Sequence, residues 1–413
     1  MTPSARIQSA IEILQGLGGT AQPVDRFLRD WFRMRRYAGS KDRAAVAERV
    51  FSILRKRASL AWRMQSEEPR ALAIASLLCE GAALENIEAL FGGEGYGPSA
   101  LSQTERDAIA TPLQGPPLYV QGEFPLFLEA ELTRAFGPSL LEEMTALQAR
   151  APVDLRVNTL KAERGDVLAD LKAAGFAAEP TSYSPHGIRI PPGAGSASLS
   201  RSPLFESGAF EFQDEAAQIA SLLCDAKPGM RILDIAAGAG GKALAFAAEM
   251  RNTGEIVASD IDVPKLKQLA IRAERAGATI IHIAATPVGD FDAVFLDAPC
   301  SGSGTWRRQP ELKWRLTPQR LTELCALQDT LLDAAAKRVK PGGRLVYATC
   351  SLLPCENEDR VAAFLARHGD FAVTPAAELW NGAAPPGLER FFKASPNVTG
   401  TDGFFAAIIR RNR

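Results

Sequence analysis

The chain has 413 residues, 46% of them hydrophobic and 23% charged, with a formal net charge of −1. No apolar run reaches the roughly 18 residues of a membrane span, the first residues lack the ordered regions of a signal peptide, and six cysteines are too few for a disulfide framework in a chain this long. These features exclude membrane and secreted classes and point to a cytoplasmic protein of two or three domains with free thiols; without a Cys-x-x-Cys pair and with three scattered histidines, no metal site is expected.

The first hundred or so residues read as helices. In "RIQSAIEILQGL" and "AAVAERVFSILRKRASLAWRM" the apolar residues recur at three- and four-residue spacing. Between Arg26 and Arg63 cations far outnumber carboxylates, and Arg35, Arg36, Lys41 and Arg43 stand out as an RNA-facing patch, with a plain solvated helix face as the alternative. "FGGEGYGPS" and "TPLQGPPLY" then break the pattern with glycine and proline, marking helix ends and a linker. "APVDLRVNTL" followed by a helical pattern, and then "GIRIPP", describe a small α+β segment. The expected domains are residues 1–140, 141–205 and 206–413.

From Gly229 strands and helices alternate, the signature of a parallel sheet covered on both faces. "RILDIAA" is a strand and "KALAFAAEM" a helix; "GEIVASD" and "PKLKQLAIRAERAG" repeat the pair. "TIIHIAA" and "FDAVFLDAP" are strands, a helix covers 319–339, "GRLVYATC" is a strand, 356–368 a helix, and "GFFAAIIRR" closes the sheet.

Ligands in such sheets bind beyond the carboxyl ends of the strands. There the loop Ala236, Ala237, Gly238, Ala239, Gly240 and Gly241, followed by Lys242, lets backbone approach a ligand closely, and Asp260 stands where an acidic group accepts from a ribose. The spacing fits a dinucleotide or S-adenosylmethionine. Asp297 and Cys300 in "FLDAPCSGSGTWRRQPELKW" and Cys350 in "LVYATCSLLPCENE" fall at the same edge. Two thiols at strand ends beside a glycine loop suit nucleophilic chemistry better than packing. Arg307, Arg308 and Lys313 offer phosphate contacts nearby, and Trp314 a stacking surface or a core side chain.

On "LRVNTLK", "FEFQDEAAQIASLL", "ILDIAAGAGGK", "VASDIDVPKL", "LDAPCSGSGTWRRQPELKW", "GGRLVYATCSLLPCENE" and "GFFAAIIRR", the sequence resembles the RNA cytosine C5-methyltransferases of the RsmB/NOP2/Sun type. The front part, notably "RYAGSKDRAAVAERVFSILR", is similar to the NusB-like RNA-binding domain of RsmB proteins. The resemblance implies an α/β fold: a Rossmann-like class I S-adenosylmethionine-dependent methyltransferase with an all-α NusB-like front and a small α+β linker domain. It implies methylation of a cytosine in RNA, 16S rRNA first and transfer RNA second, by an enzyme that need be no more than a monomer. It also implies that Cys350 is the nucleophile at cytosine C6, that Cys300 assists breakdown of the adduct, that Asp297 hydrogen-bonds the base, and that Lys242 contacts cofactor or base. Cys355 is read as structural. The chain departs from the family loop A-P-G-G-K-[ST] at Ala239 and Ala243, and no aspartate follows the third strand before Asp290. An RNA-binding assembly factor with a degenerate cofactor pocket is the competing reading.

Overall fold

The structure is a computed structural model that describes residues 1–93, 95–193 and 196–413. Among these residues the chain forms two compact units, residues 1–148 with 306–315, and residues 149–305 with 316–413. The expected limit at 140 shifts to the end of a helix, Leu140–Gln148. The expected catalytic stretch 206–413 loses Trp306–Arg315 to the first unit, and the small α+β segment falls within the second unit.

The first unit is helical, as its periodicity predicts. Its opening helices are α1 (Pro3–Gly18), α2 (Val24–Arg33), α3 (Ser40–Arg55), α4 (Arg57–Met64) and α5 (Pro69–Cys79). Thr2 caps α1 by accepting from Ala5 N, ahead of a proline at the first helical position, where a missing N–H costs nothing. Ile13, Val50, Ile53 and Ile74 are fully buried in the shared core. Glu123 caps α4 from a distance, accepting from Ala58 N at 2.8 Å.

The second unit contains two sheets. Strands β1 (Val153–Val157), β2 (Glu179–Pro180), β3 (Gly187–Ile190) and β4 (Phe210–Phe212) form an antiparallel sheet in the order β2-β3-β1-β4. The larger sheet takes β5 (Arg231–Ile235), β6 (Glu255–Ser259), β7 (Ile281–Ile283), β8 (Phe291–Asp297), β9 (Val339–Thr349), β10 (Phe371–Thr374), β11 (Phe392–Ala394) and β12 (Phe404–Arg411). Its order is β10-β12-β9-β8-β5-β6-β7, with β11 beside β12. The pairs among β5 to β9 are parallel and those of β12 antiparallel. The central strand β8 reads "AVFL" through its middle and buries all four side chains, as a strand covered on both faces must. Parallel pairing of β5, β6, β8 and β9 brings all four carboxyl ends to one edge, so residues far apart in sequence become neighbours there. No helix among the described residues is long and apolar enough to cross a membrane.

Candidate active site

The two thiols meet because the ladder between β8 and β9 is in a fixed register. Asp297 pairs with Ala348, and Ala298 N donates to Ala348 O at 2.9 Å, so Cys300 and Cys350 each lie two residues past the last bonded pair. Their sulfurs stand 3.4 Å apart, within hydrogen-bond reach. Both side chains are half-buried. Past the thiols the loops stay linked, with Gly304 N donating to Cys350 O at 2.9 Å and Leu352 N to Ser303 Oγ at 2.8 Å.

A side chain with little signal in the sequence holds this arrangement from behind. Glu356 is completely buried. One of its oxygens accepts from Ser301 N at 2.8 Å and Gln328 Nε2 at 3.1 Å; the other accepts from the hydroxyls of Ser301 and Ser351, each at 2.5 Å. Ser301 follows Cys300, and Ser351 follows Cys350. One carboxylate therefore fixes the residue after each thiol. Gln328 adds a bond to Pro299 O at 2.9 Å, and Asn357 ties Thr349 to Ser351 O. The only sequence signal for Glu356 is its place in the carboxylate cluster of "PCENE".

In front of the thiols, Lys242 Nζ donates to Asp297 Oδ2 at 2.5 Å. The expected contacts of these two residues with base and cofactor are thus first of all a contact with each other. Burial alone would lower the lysine's affinity for its proton, but the charge and hydrogen bond of Asp297, with Asp234 and Cys350 adding to them, prevail and hold it above its ordinary value. Lys242 is an ammonium at neutral pH. The Cys300 thiol is held well above the usual cysteine range by its hydrogen bond to Cys350, then by burial and by the charges of Cys350 and Glu356. Cys300 is therefore a protonated thiol.

Beneath this pair lies Asp234, a second residue that the sequence does not single out. Fully buried on β5, it finds no hydrogen-bond partner of normal geometry for either oxygen among the described residues. Burial pushes its carboxyl up to about 7, with Lys242 opposing the rise and Asp297 adding to it.

The glycine loop turns through left-handed backbone. Gly238 (φ 56°) and Gly240 (φ 82°) are left-handed, and Ala236 (φ 57°) is too. The two glycines serve different ends. A Cβ on Gly238 would meet nothing closer than 3.9 Å and leaves an open face, whereas one on Gly240 would come within 2.5 Å of Leu269, so that glycine admits a helix rather than a ligand. The carbonyls are pinned from below: Arg156, from β1, donates to Gly241 O at 2.6 Å, and Arg272 to Ala239 O at 2.7 Å. Asp260, the expected ribose partner, already accepts from Gly238 N and Asp262 N, both at 2.7 Å, and so braces the loop with the same carboxylate. Each oxygen keeps a free lone pair for a hydroxyl. The loop from Ala236 to Gly241, with Asp260 beside it, fits a nucleoside-containing cofactor.

The expected RNA contacts divide. Arg36, Lys41 and Arg43 are exposed. Arg35 is half-buried, stacked 3.7 Å over Trp31 and paired with Glu12 at 3.6 Å. The expectation for Lys313 is corrected: it is buried and donates to Arg55 O at 3.1 Å. Arg307 is also buried and Arg308 half-buried. Trp314 takes the core alternative, with Nε1 donating to Leu54 O at 2.6 Å. Polar residues crowd "WRRQPELKW" and suggest a surface, but Glu311, Lys313 and Trp314 there bond to helix ends of the front unit.

Comparison with known proteins gives the family. Residues 221–410 match the family model for 16S rRNA methyltransferase RsmB/F, and residues 124–194 match the ferredoxin-like domain of RsmF/B-like methyltransferases. The probable ribosomal RNA small subunit methyltransferase B of Synechocystis sp. is 33% identical over 306 residues, which cover 70% of this chain and 67% of that protein. The probable enzyme of the same name from Bacillus subtilis is 31% identical over 317 residues, covering 74% and 70%. Among solved structures, a methyltransferase homolog protein from Pyrococcus horikoshii is 28% identical with a TM-score of 0.61, covering 71% of this chain and 97% of that one.

Unfolding measurements probe both buried acids. Replacing Glu356 by Ala strands several buried donors, each costing about 1–3 kcal/mol, so denaturant unfolding should show a loss of about 3 kcal/mol or more. A loss under about 1 kcal/mol contradicts the bracing role. For Asp234 the folded-state affinity is raised, so its contribution to stability is full below about pH 4 and is lost as pH rises through about 7. Asp234→Asn removes that slope. The variant's stability relative to the parent should climb between pH 4 and 8, by up to about 4 kcal/mol, in unfolding curves measured across the range; a flat difference refutes it.

Proposed function

Because this chain belongs to the RsmB/F family of 16S rRNA methyltransferases, with the Rossmann-like methyltransferase fold and a helical NusB-like front, we propose that it methylates C5 of a cytosine in small-subunit ribosomal RNA through a transient bond between Cys350 and C6. The observation that carries the reading is the 3.4 Å approach of two thiols from separate strand ends at the edge of a cofactor loop. One nucleophilic cysteine would need no such partner.

Cytosine C5 is a weak nucleophile. Addition of the Cys350 thiolate to C6 moves the electrons of the C5–C6 double bond to C5, converting one hard step into two easier ones. S-Adenosylmethionine, when bound by the loop Ala236–Gly241 and Asp260, supplies an electrophilic methyl group on a sulfonium. The chain's part is electrostatic and positional. Lys242, held as a cation beside Asp297, stabilises negative charge on Cys350. Asp297 keeps a second oxygen with which to hydrogen-bond the base. After methyl transfer, a base or water takes the C5 proton, the C5–C6 double bond re-forms and Cys350 leaves as the thiolate that began the cycle; Cys300, a protonated thiol within hydrogen-bond reach, assists by hydrogen-bonding the charge that develops on the departing sulfur. The target base has to be unpaired or flipped for its C6 face to be reached, at a cost of a few kcal/mol.

Incubating each variant with cytosine-containing RNA and S-adenosylmethionine tests the assignment. Cys300→Ala should accumulate an RNA adduct that survives denaturing electrophoresis, while Cys350→Ala forms none. The reverse pattern assigns the nucleophile to Cys300 and defeats the proposal. A second expectation concerns the front patch. Changing Arg36, Lys41 and Arg43 to Gln should lower the salt dependence of RNA binding by about 0.7–0.9 in log–log slope for each phosphate the patch neutralises. An unchanged slope in a binding titration places the RNA on another surface.

A further inference from the structure

Cys300 and Cys350 are also placed to react with each other. A disulfide needs Cα atoms about 4.4–6.8 Å apart and sulfurs about 2.05 Å apart. The strands that carry the two residues, β8 and β9, are paired neighbours, and paired strands lie about 4.8 Å from one another. The sulfurs stand 3.4 Å apart, so an approach of about 1.4 Å would join them. The bonds from Glu356 are made to Ser301 and Ser351, the residues after the thiols, and not to the sulfurs themselves.

The two sulfurs differ in what an oxidant meets. The thiolate is the reactive form of a cysteine, and oxidation follows thiolate character and access. Cys350 is the member beside a cation, since its anion and the Lys242 ammonium attract each other, and it is half-buried rather than sealed. Cys300 keeps its proton, first through its hydrogen bond to Cys350 and then through burial. One sulfur of the pair is thus ready to be oxidised while the other stands within reach as a thiol. Elsewhere, Cys224 is fully buried and its thiol is pushed up to about 12 by that burial. Cys325, with its sulfur 3.4 Å from the Cys355 carbonyl oxygen, forms the rival pair.

We propose that Cys350 is a site of modification by peroxide and that Cys300 is its resolving thiol, so that oxidation halts at a reversible Cys300–Cys350 disulfide. In the first step the Cys350 thiolate attacks one oxygen of hydrogen peroxide, the O–O bond breaks, hydroxide leaves and Cys350 becomes a sulfenic acid. In the second the Cys300 sulfur attacks the sulfenic sulfur, the S–O bond breaks, and the departing oxygen leaves as water with the Cys300 proton. The sulfurs are oxidised and the peroxide is reduced: two thiols and one peroxide give one disulfide and two waters. Without a thiol at this range a sulfenic acid goes on to sulfinic acid, which small thiols do not reverse. The effect on methyl transfer rests on the reading of Cys350 as the nucleophile; the modification itself rests on the placement of the sulfurs.

The full chain is treated with hydrogen peroxide, alkylated and mapped by mass spectrometry, with methyl transfer to RNA followed in parallel. The parent should lose the free thiols of Cys300 and Cys350 together into one cross-linked peptide pair, lose methyl transfer, and regain both with dithiothreitol. In Cys300→Ala, Cys350 should pass to sulfinic acid that dithiothreitol does not reverse. In Cys350→Ala, Cys300 should remain a free thiol at the same dose. Peroxide that leaves both thiols free, or that joins Cys325 to Cys355 in their place, overturns the proposal. So does a Cys350 that is as fully restored in Cys300→Ala as in the parent. A Cys300–Cys350 disulfide with methyl transfer undiminished leaves the modification site standing and defeats Cys350 as the nucleophile.

Discussion

The buried carboxylate of Glu356 is the constraint on which the site depends. A carboxylate in an interior is tolerated only when its lone pairs are filled, and here the donors that fill them are attached to the residues immediately after Cys300 and Cys350. The requirement to satisfy one charge thus becomes a requirement on two loops at once. Loss of either serine hydroxyl removes one of the two donors to the same carboxylate oxygen, and the backbone of Ser301 is bound as well. The β8–β9 ladder brings the two thiols side by side, and Glu356 adds a hold on the residue that follows each of them. The hydrogen bond between the sulfurs is too weak to hold them, since the thiol is a poor donor.

The cofactor side is stiffened by similar means but with the opposite charge. Arg156 and Arg272 occupy carbonyls of the glycine loop, and Asp260 occupies amides at Gly238 and Asp262. Burial lowers the affinity of Arg156 for its proton to about 10, with Glu211 opposing, yet leaves it charged at neutral pH. A loop with several left-handed residues would be mobile if its polar groups faced only water. These bonds brace Gly238 N, Ala239 O and Gly241 O from within the protein, and Ala239, which stands where the related loop pattern has proline, has its carbonyl held by the Arg272 guanidinium.

How far the sequence can be read follows from the range of the interactions involved. Strands, helices and the carboxyl edge are legible because they rest on local alternation and on the general behaviour of parallel sheets. "LDAPC" and "VYATC" announce two thiols at that edge; their 3.4 Å separation rests on the register of β8 against β9, which no local pattern encodes. Glu356 lies within a run of acids, and periodicity does not mark which carboxylate in such a run turns inward. Asp260 falls at the end of β6 as expected, but the amides it accepts from belong partly to the β5 loop. The largest misreading, of Lys313, has the longest range, and the choice between the two readings of Trp314 rests on the same distance. Lys313 and Trp314 find their partners some 250 or more positions earlier in the chain, at Arg55 and Leu54, and a cluster of cations with an aromatic residue is the same on paper whether it meets phosphate or the open carbonyls of a helix.

The charges around the two thiols also differ in a way that sets their proposed roles. An anion on Cys300 would stand next to Ser301 and thus near the fixed negative charge of Glu356, in addition to the electron pair of the other sulfur; both raise its affinity for a proton. An anion on Cys350 instead interacts favourably with the Lys242 ammonium. Were the lysine neutral, this preference would vanish, and burial acts in that direction. Asp297 counters it by direct contact and Asp234 by proximity, so the two acids around Lys242 matter to Cys350 through the proton they keep on the lysine. The proposed division of labour, with attack by one sulfur and assistance by the other, is consistent with one half-buried cation and one buried anion placed beside a pair of chemically identical groups.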